Sequence, residues 1–155
     1  MVWKPHVTVA AIAERDGRFL VVEEEVRGKR VFNNPAGHLE PGESFIDAVR
    51  RETLEETGWE FTPDAVTGIY LWKNPEVDAT FLRVAFHGRC LRHDPARPLD
   101  KGIVAPHWLS RTELADGKYA LRSHMVLRCI DDALAGARYP LQLLSHVTDL
   151  ESLLV

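Results

Sequence analysis

Apolar and polar residues in the N-terminal part of the chain follow a strand period. Residues 6–13, HVTVAAIA, are apolar or β-branched, and residues 19–26, FLVVEEEV, repeat the pattern after Arg15-Asp16-Gly17-Arg18. Asp-Gly favours tight hairpin turns because both positions tolerate positive φ, so the two runs predict an antiparallel hairpin. Alternation sends Glu23 and Glu25 to one face and Glu24 to the other, which reads as a strand end leaving the core for solvent. The basic turn Arg27-Gly28-Lys29-Arg30 then leads into Val31-Phe32. Its charges read either as solvent-facing loop residues or as cover for a bound anion.

From Ser44 the period changes to that of a helix. Pro35, Gly37, Pro41 and Gly42 precede it and predict a loop, since they fix or free the backbone and interrupt a strand ladder. Ser44 is a good N-cap, Asp47 stands where a capping-box acid would reach back, and Gly58 is a C-terminal stop. Ile46, Val49 and Thr53 share one stripe of this helix. Glu52, Glu55 and Glu56 share the neighbouring stripe, with Cβ atoms about 5–6 Å apart.

Beyond the helix, Glu60 to Asp64 reads as a polar turn, and Val66 to Trp72 and Thr80 to Phe86 as strands joined near Asn74-Pro75. A polar loop from Arg92 to Gly102 precedes a last strand, Ile103 to Leu109. Ser110 with Glu113 is a capping-box start for a short helix ended by Gly117. Ser123 to Ala135 predicts a longer helix with Met125, Val126, Ile130, Ala133 and Leu134 apolar and Gly136 as its stop. The tail from Arg138 is apolar but irregular. Strands flanked by two long helices predict an α/β fold, a mixed β-sheet between helices, in one domain spanning residues 1–155.

Composition narrows the partners. The chain has 155 residues, 19 basic and 23 acidic side chains and a formal charge of −4, so no basic surface for nucleic acid or an anionic membrane is expected. The longest apolar run is far below the roughly 18 residues of a membrane span, and MVWKPH lacks a signal-peptide pattern. Two cysteines, Cys90 and Cys129, without a CxxC point to reduced thiols in a cytoplasmic protein with no zinc site. The seven histidines form no helical ligand pair. His38 alone stays open, because it lies in the glycine-rich loop.

Three glutamates on one helical stripe repel one another, at a few tenths of a kcal/mol per pair, and burial or crowding favours their protonated forms. Mg²⁺ or Mn²⁺ would hold them ionised, since hard divalent cations take oxygen ligands. A solvated acidic face balanced by Arg50 and Arg51 is the alternative. Further candidates lie elsewhere in the chain. Tyr70, Trp72 and Phe81 suit the core or stacking on a flat heterocycle. Arg83 accompanies them on the next strand. Asn33 and Asn34 are turn formers whose amides could orient a substrate. Arg122 and Ser123 stand at a helix start, where an anion is favoured, or serve as a surface arginine and a cap.

Gly37, Glu43, Arg51, Glu52, Glu55, Glu56 and Gly58, at this spacing, resemble the signature box of the Nudix hydrolases. Two packing positions depart, Thr53 and Trp59, where that family has aliphatic residues. The resemblance implies an αβα sandwich that binds divalent metal, Mg²⁺ or alternatively Mn²⁺, and cleaves a diphosphate linked to another group. Carried over residue by residue, it implies Glu52, Glu55 and Glu56 as metal ligands, completed by the Ala36 carbonyl. Asp100, or second Asp94, is the later acid that serves as ligand or base. Glu43 is an outer carboxylate, and Arg51 orients the acids. Glu55 and Glu52 stand ahead of Glu43 as general base. Asn34, Tyr70, Trp72, Phe81, Arg83 and Arg122 are the expected substrate contacts.

KPHVTVA, LVVEE, NPAGHLE, LRS and RYPL further resemble the NudJ-type Nudix phosphatases of bacteria. That implies hydrolysis of nucleoside tri- and diphosphates with release of inorganic phosphate, and of thiamine and hydroxymethylpyrimidine diphosphates. The expected partner is thus a small-molecule nucleotide or thiamine-type diphosphate, and the protein a monomer or homodimer. Alternatives are a Nudix pyrophosphatase for ADP-ribose or dinucleoside polyphosphates, and a catalytically silent nucleotide-binding module.

Overall fold

The expected hairpin is formed by β1 (His6–Arg15) and β2 (Arg18–Val26), which turn through Asp16 and Gly17 at φ 52° and 77°. In the computed structural model, which describes residues 1–148, these strands pair only beside their turn, at Glu14–Phe19 and Arg15–Arg18. They then diverge, and each carries one half of a seven-stranded sheet. β2 lies between β3 (Lys29–Asn33) and β7 (Ile103–Ser110), antiparallel to both. β1 runs parallel to β6 (Ala79–His93), which is paired in turn with β5 (Trp59–Asn74). The short β4 (Ala36–His38) fills the other edge of β1 where β2 has departed.

Alternation along β1 builds two apolar layers. Ala10 and Ile12 face α3 (Met125–Leu134) and pack with Met125, Val126, Cys129 and Ile130. Val9, Ala11 and Ala13 face α1 (Phe45–Thr57) and pack with Ala48, Val49, Phe61 and Phe86. Between β7 and α3 a short α2 (Arg111–Ala115) starts at the expected capping box: Ser110 Oγ accepts from the Glu113 N–H, and Glu113 Oε2 from the Ser110 N–H. No helix among the described residues is long and apolar enough to cross a membrane.

Several boundaries differ from expectation. Glu60 to Asp64 is not a turn: it belongs to β5, whose register shifts at Trp59/Phe61, Pro63/Ala65 and Val66/Gly68 absorb Pro63 while Phe61 and Ala65 stay buried. Gly37 lies in β4 rather than in a loop. The long C-terminal helix is shorter at both ends, and Leu134 is exposed on its outer face. Ser44 Oγ accepts from the Asp47 N–H at 3.0 Å, and the reciprocal Asp47 bond of a capping box is not made. The tail from Arg138 has one turn of 3₁₀ helix at Leu141–Leu143, and its last residues lie outside those described.

Both departures from the signature have packing explanations. Thr53 is fully buried, with its hydroxyl donating to the Val49 carbonyl at 2.7 Å, so it fills an apolar position without an unpaired group. Trp59 is roofed by the Arg15 guanidinium, 4.5 Å from its ring centroid; Arg15 also lies 5.0 Å from the Trp108 centroid and donates to the Cys90 carbonyl.

Gly58 terminates α1 at φ 73°, and a Cβ there would lie 2.8 Å from the Asp94 carbonyl oxygen. Gly58→Ala is expected to lower stability by at least about 1–2 kcal/mol from the left-handed backbone alone. Thermal denaturation checks this, and an unchanged Tm would contradict it.

Candidate functional site

Oxygen atoms of Glu52, Glu55 and Asp100 lie within 4.8 Å of one another. The helical period supplies two of them and the loop between β6 and β7 supplies the third. That loop is held by the end of α1 itself. The Asp100 N–H donates to the Glu55 carbonyl at 3.0 Å, and the Asp94 N–H to the Gly58 carbonyl at 2.9 Å. His93 Nε2 lies 3.2 Å from the Thr57 carbonyl oxygen, and its ring stacks on Trp59 with centroids 4.6 Å apart. The last carbonyls of a helix have no partner within it. Here the Glu55 and Thr57 carbonyls, with that of the cap residue Gly58, dock the segment that delivers Asp100.

Arg51 sets the carboxylates in place. Its Nε and Nη2 donate to both oxygens of Glu43, at 2.9 and 2.8 Å, and Nη1 donates to Glu52 and Glu55, at 2.9 and 3.1 Å. Nη2 also reaches the His38 carbonyl. The guanidinium holds Glu43 below the usual carboxylate range. Glu52 moves the other way: burial raises it more than Arg51 lowers it. A Cβ at Gly37 would overlap the Glu52 carboxyl, so any other residue there displaces that carboxyl from its place beside β4.

Glu56 is 8 % exposed, and its carboxylate accepts from the Ala36 N–H at 2.8 Å. Burial pushes its pKa up to about 9, with the charges of Glu24, Glu52 and Asp100 adding to the rise. A buried carboxylate surrounded by others lacks a counter-charge. The donor set is all oxygen and all acid, which fits a hard divalent cation.

Beside this cluster a pocket of about 230 Å³ runs from Ala36 and Gly37 to Trp72 and Phe81, with Arg83 and Arg122 in its wall. Trp72 and Phe81 stack on each other at 5.1 Å and 22°. Arg83 donates to Asn34 Oδ1 at 3.4 Å, and both are buried. Arg122 is placed by backbone pairing with β3, its N–H donating to the Phe32 carbonyl, and it forms an ion pair with Glu24 at 3.0 Å. Ser123 Oγ accepts from the Met125 N–H and also borders the pocket.

Tyr70 is not brought to this pocket. Its hydroxyl donates to Asp132 at 2.7 Å, and it lines a separate depression with Arg128 and Tyr139, because α3 covers its side of the sheet. Asp94 is not in the acid cluster either: it is exposed on its loop and accepts from the Ala96 N–H. The basic turn divides: Arg30 pairs with Glu23, while Arg27 and Lys29 border an outer depression shared with Phe81 and Arg122. His38 sits 6.5 Å from Phe81, and burial with neighbouring His6 lowers its pKa.

Glu24 had no expected role at the site, whereas the Asn33 amide was a candidate substrate contact. Glu24 was expected in solvent, yet its side chain is only 14 % exposed and borders the pocket. The signal was its parity: Glu24 alternates in step with Leu20 and Val22, both buried, and Leu20 packs on the α1 side of the sheet. Asn33 borders the same pocket, with its buried Oδ1 unpartnered.

A mixed sheet between two helices, with a strand, turn and helix that gather glutamates beside a pocket, defines a Nudix fold and site. The chain belongs to the Nudix family: residues 3–129 match the NUDIX domain. It is 39% identical over 142 residues to Phosphatase NudJ of Escherichia coli (strain K12), with 92% of each chain covered. A NUDIX hydrolase from Nitrosomonas europaea is 48% identical at a TM-score of 0.90, with 93% of this chain and 98% of that one covered. An ADP-ribose pyrophosphatase from Streptococcus suis, 20% identical at a TM-score of 0.66 over 88% of this chain and 96% of that one, shares the fold.

Glu56 has a folded pKa of about 9 against an ordinary value of 4.5. Between those values the cation-free folded state binds more protons than the unfolded one, so stability is highest below the lower value and falls as pH rises through the upper. In chelator, Tm is expected to decline from pH 6 to 9, with a smaller decline in Glu56→Gln; equal slopes would contradict this. Gly37→Ala is expected to fold but to lose the rise in Tm on adding Mg²⁺, and a retained rise would show that β4 and Glu52 need not touch.

Proposed function

We propose that this protein hydrolyses nucleoside tri- and diphosphates with a divalent cation, releasing inorganic phosphate, and that thiamine and hydroxymethylpyrimidine diphosphates form a second substrate class. The observation that carries the reading is the convergence of Glu52, Glu55 and Asp100 within 4.8 Å beside an aromatic, arginine-bearing pocket. The extent of the similarity to the NudJ phosphatases supports it.

Glu52, Glu55, Glu56 and Asp100, with the Ala36 carbonyl, would hold Mg²⁺, or Mn²⁺ in its place. Such an ion supplies positive charge against the phosphate oxygens and the leaving group, and acidity to the attacking water. The protein's own part is to orient and to accept the proton. Glu43 is ill suited as base, since both its oxygens are taken by Arg51 and its pKa is lowered. Glu52 and Glu55 remain, each with Arg51 on a single oxygen. A carboxylate within hydrogen-bond reach of the water accounts for a typical factor of about 10²–10⁴ in rate. Trp72 and Phe81 would offer a flat face to the group beyond the phosphates, and Arg122 would exchange Glu24 for a phosphate oxygen.

A silent binding module would have no need of the full acid set present here. Pyrophosphatase action on ADP-ribose or dinucleoside polyphosphates is separated by product, since it yields a nucleoside monophosphate directly. A reduced cytoplasmic setting fits the two buried, free cysteines.

A panel of nucleoside tri- and diphosphates, ADP-ribose and thiamine diphosphates assayed with Mg²⁺ is expected to release inorganic phosphate from the nucleotides. Glu52→Gln and Glu56→Gln should lower kcat by about two orders of magnitude or more with folding intact. Wild-type turnover in a stably folded Glu56→Gln protein, or no hydrolysis of any member, would overturn the proposal.

A further inference from the structure

Arg83 is 5 % exposed, yet its neighbours are neutral: it donates to Asn34 Oδ1 at a long 3.4 Å and lies against the Cys129 thiol, and its Nε has no partner. None of the ion pairs among the described residues includes it. Burying a guanidinium without a carboxylate is costly, because the charge gives up water and gains no counter-charge. A core with only structural demands would place an apolar side chain there. The buried Trp72 Nε1 and Asn33 Oδ1 are also unpartnered, and both residues border the same pocket as Arg83. Three under-satisfied polar groups around one cavity indicate a ligand that satisfies them.

Position says which part of the ligand. Arg83 lies two residues along β6 from Phe81 and therefore on the same sheet face, beside the Phe81–Trp72 stack. The phosphates are drawn to the carboxylate cluster at the Ala36–Gly37 end. What reaches Arg83 is then the flat group beyond them, stacked on the aromatic pair. A guanidinium and an indole N–H only donate. They satisfy ring carbonyls and unprotonated ring nitrogens, while Asn33 Oδ1 only accepts and suits a ring N–H such as the N1–H beside a 6-oxo group.

Resting on the nucleotide-hydrolase reading above, we propose that Arg83 is a specificity-determining residue that selects nucleotides whose base presents a ring carbonyl, above all 6-oxopurines. Their O6 and N7 offer the adjacent acceptors that a planar guanidinium can take together. Adenine, whose 6-amino group turns a donor toward the guanidinium beside N7, is disfavoured.

ITP and ATP differ at the purine 6-position, with the linked change at N1, and so form the test pair. With Mg²⁺, wild-type kcat/KM is expected to favour ITP over ATP by about tenfold or more, and calorimetry should show IMP binding more tightly than AMP. Arg83→Met should abolish both preferences with Tm equal to or above wild type, because it removes a buried charge that has no ion-pair partner. Arg83→Lys, which keeps the charge without the fork, should abolish them too and guards against misfolding of the first variant. Equal efficiency on ITP and ATP, or a preference that survives both substitutions, overturns the inference and leaves the hydrolase reading standing. A much lower Tm in Arg83→Met with the preference intact assigns Arg83 to packing alone. No hydrolysis of either nucleotide, with IMP still preferred over AMP, keeps the subsite and removes the hydrolase reading; neither hydrolysis nor binding removes both.

Discussion

One guanidinium holds the site together. Arg51 directs its fork at Glu43, Glu52 and Glu55, and through its second terminal nitrogen it ties the helix to the His38 carbonyl on β4. Without it, α1 would present mutually repelling acids to a strand that passes so close that a Cβ at position 37 would displace the Glu52 carboxyl. With it, the carboxylates are oriented before any cation arrives. Glu56 lies outside this fork, deeper in the protein, and is the acid whose ionisation is most opposed by burial.

The fold delivers two further elements to that helix. β1 and β2 part after their turn, and the gap admits β4, so the glycine-rich loop lies against α1. The far end of the helix is capped by the very loop that carries Asp100, so stabilising α1 and completing the acid cluster are one structural act. Trp59, an aromatic where the family carries an aliphatic residue, strengthens that junction by stacking on His93 under Arg15. On the opposite wall, Arg83 is buried with no ion-pair partner among the described residues, which is the pattern expected where a binding group outranks packing.

The helix with its caps, the hairpin, the α/β class and the acidic stripe were legible in the sequence because each rests on local periodicity or turn chemistry. The long β5 was not. Its Glu60–Asp64 segment carries the polar and proline residues of a turn, and only pairing with β6 across three register shifts makes it strand. Tyr70 and Trp72 share a strand face and could not be told apart by pattern; α3, distant in sequence, covers one and leaves the other beside the pocket. Glu24 looked like solvated strand end because a run of three glutamates hides the parity that puts one of them beneath α1. Arg83 was named as a substrate contact from its strand alone, and its lack of a counter-charge is visible only once its neighbours are in place.

On the proposed reading, α1 and the Asp100 loop form a single divalent-cation site. Titration of Mn²⁺ into the protein, followed by the loss of its free-ion electron paramagnetic resonance signal, tests this without reference to substrate. Saturable binding to wild type is expected, weakened about tenfold or more in Glu52→Gln and in Asp100→Asn. In the double variant the losses should be less than additive, since both side chains serve one ion. Wild-type affinity in both single variants would contradict it.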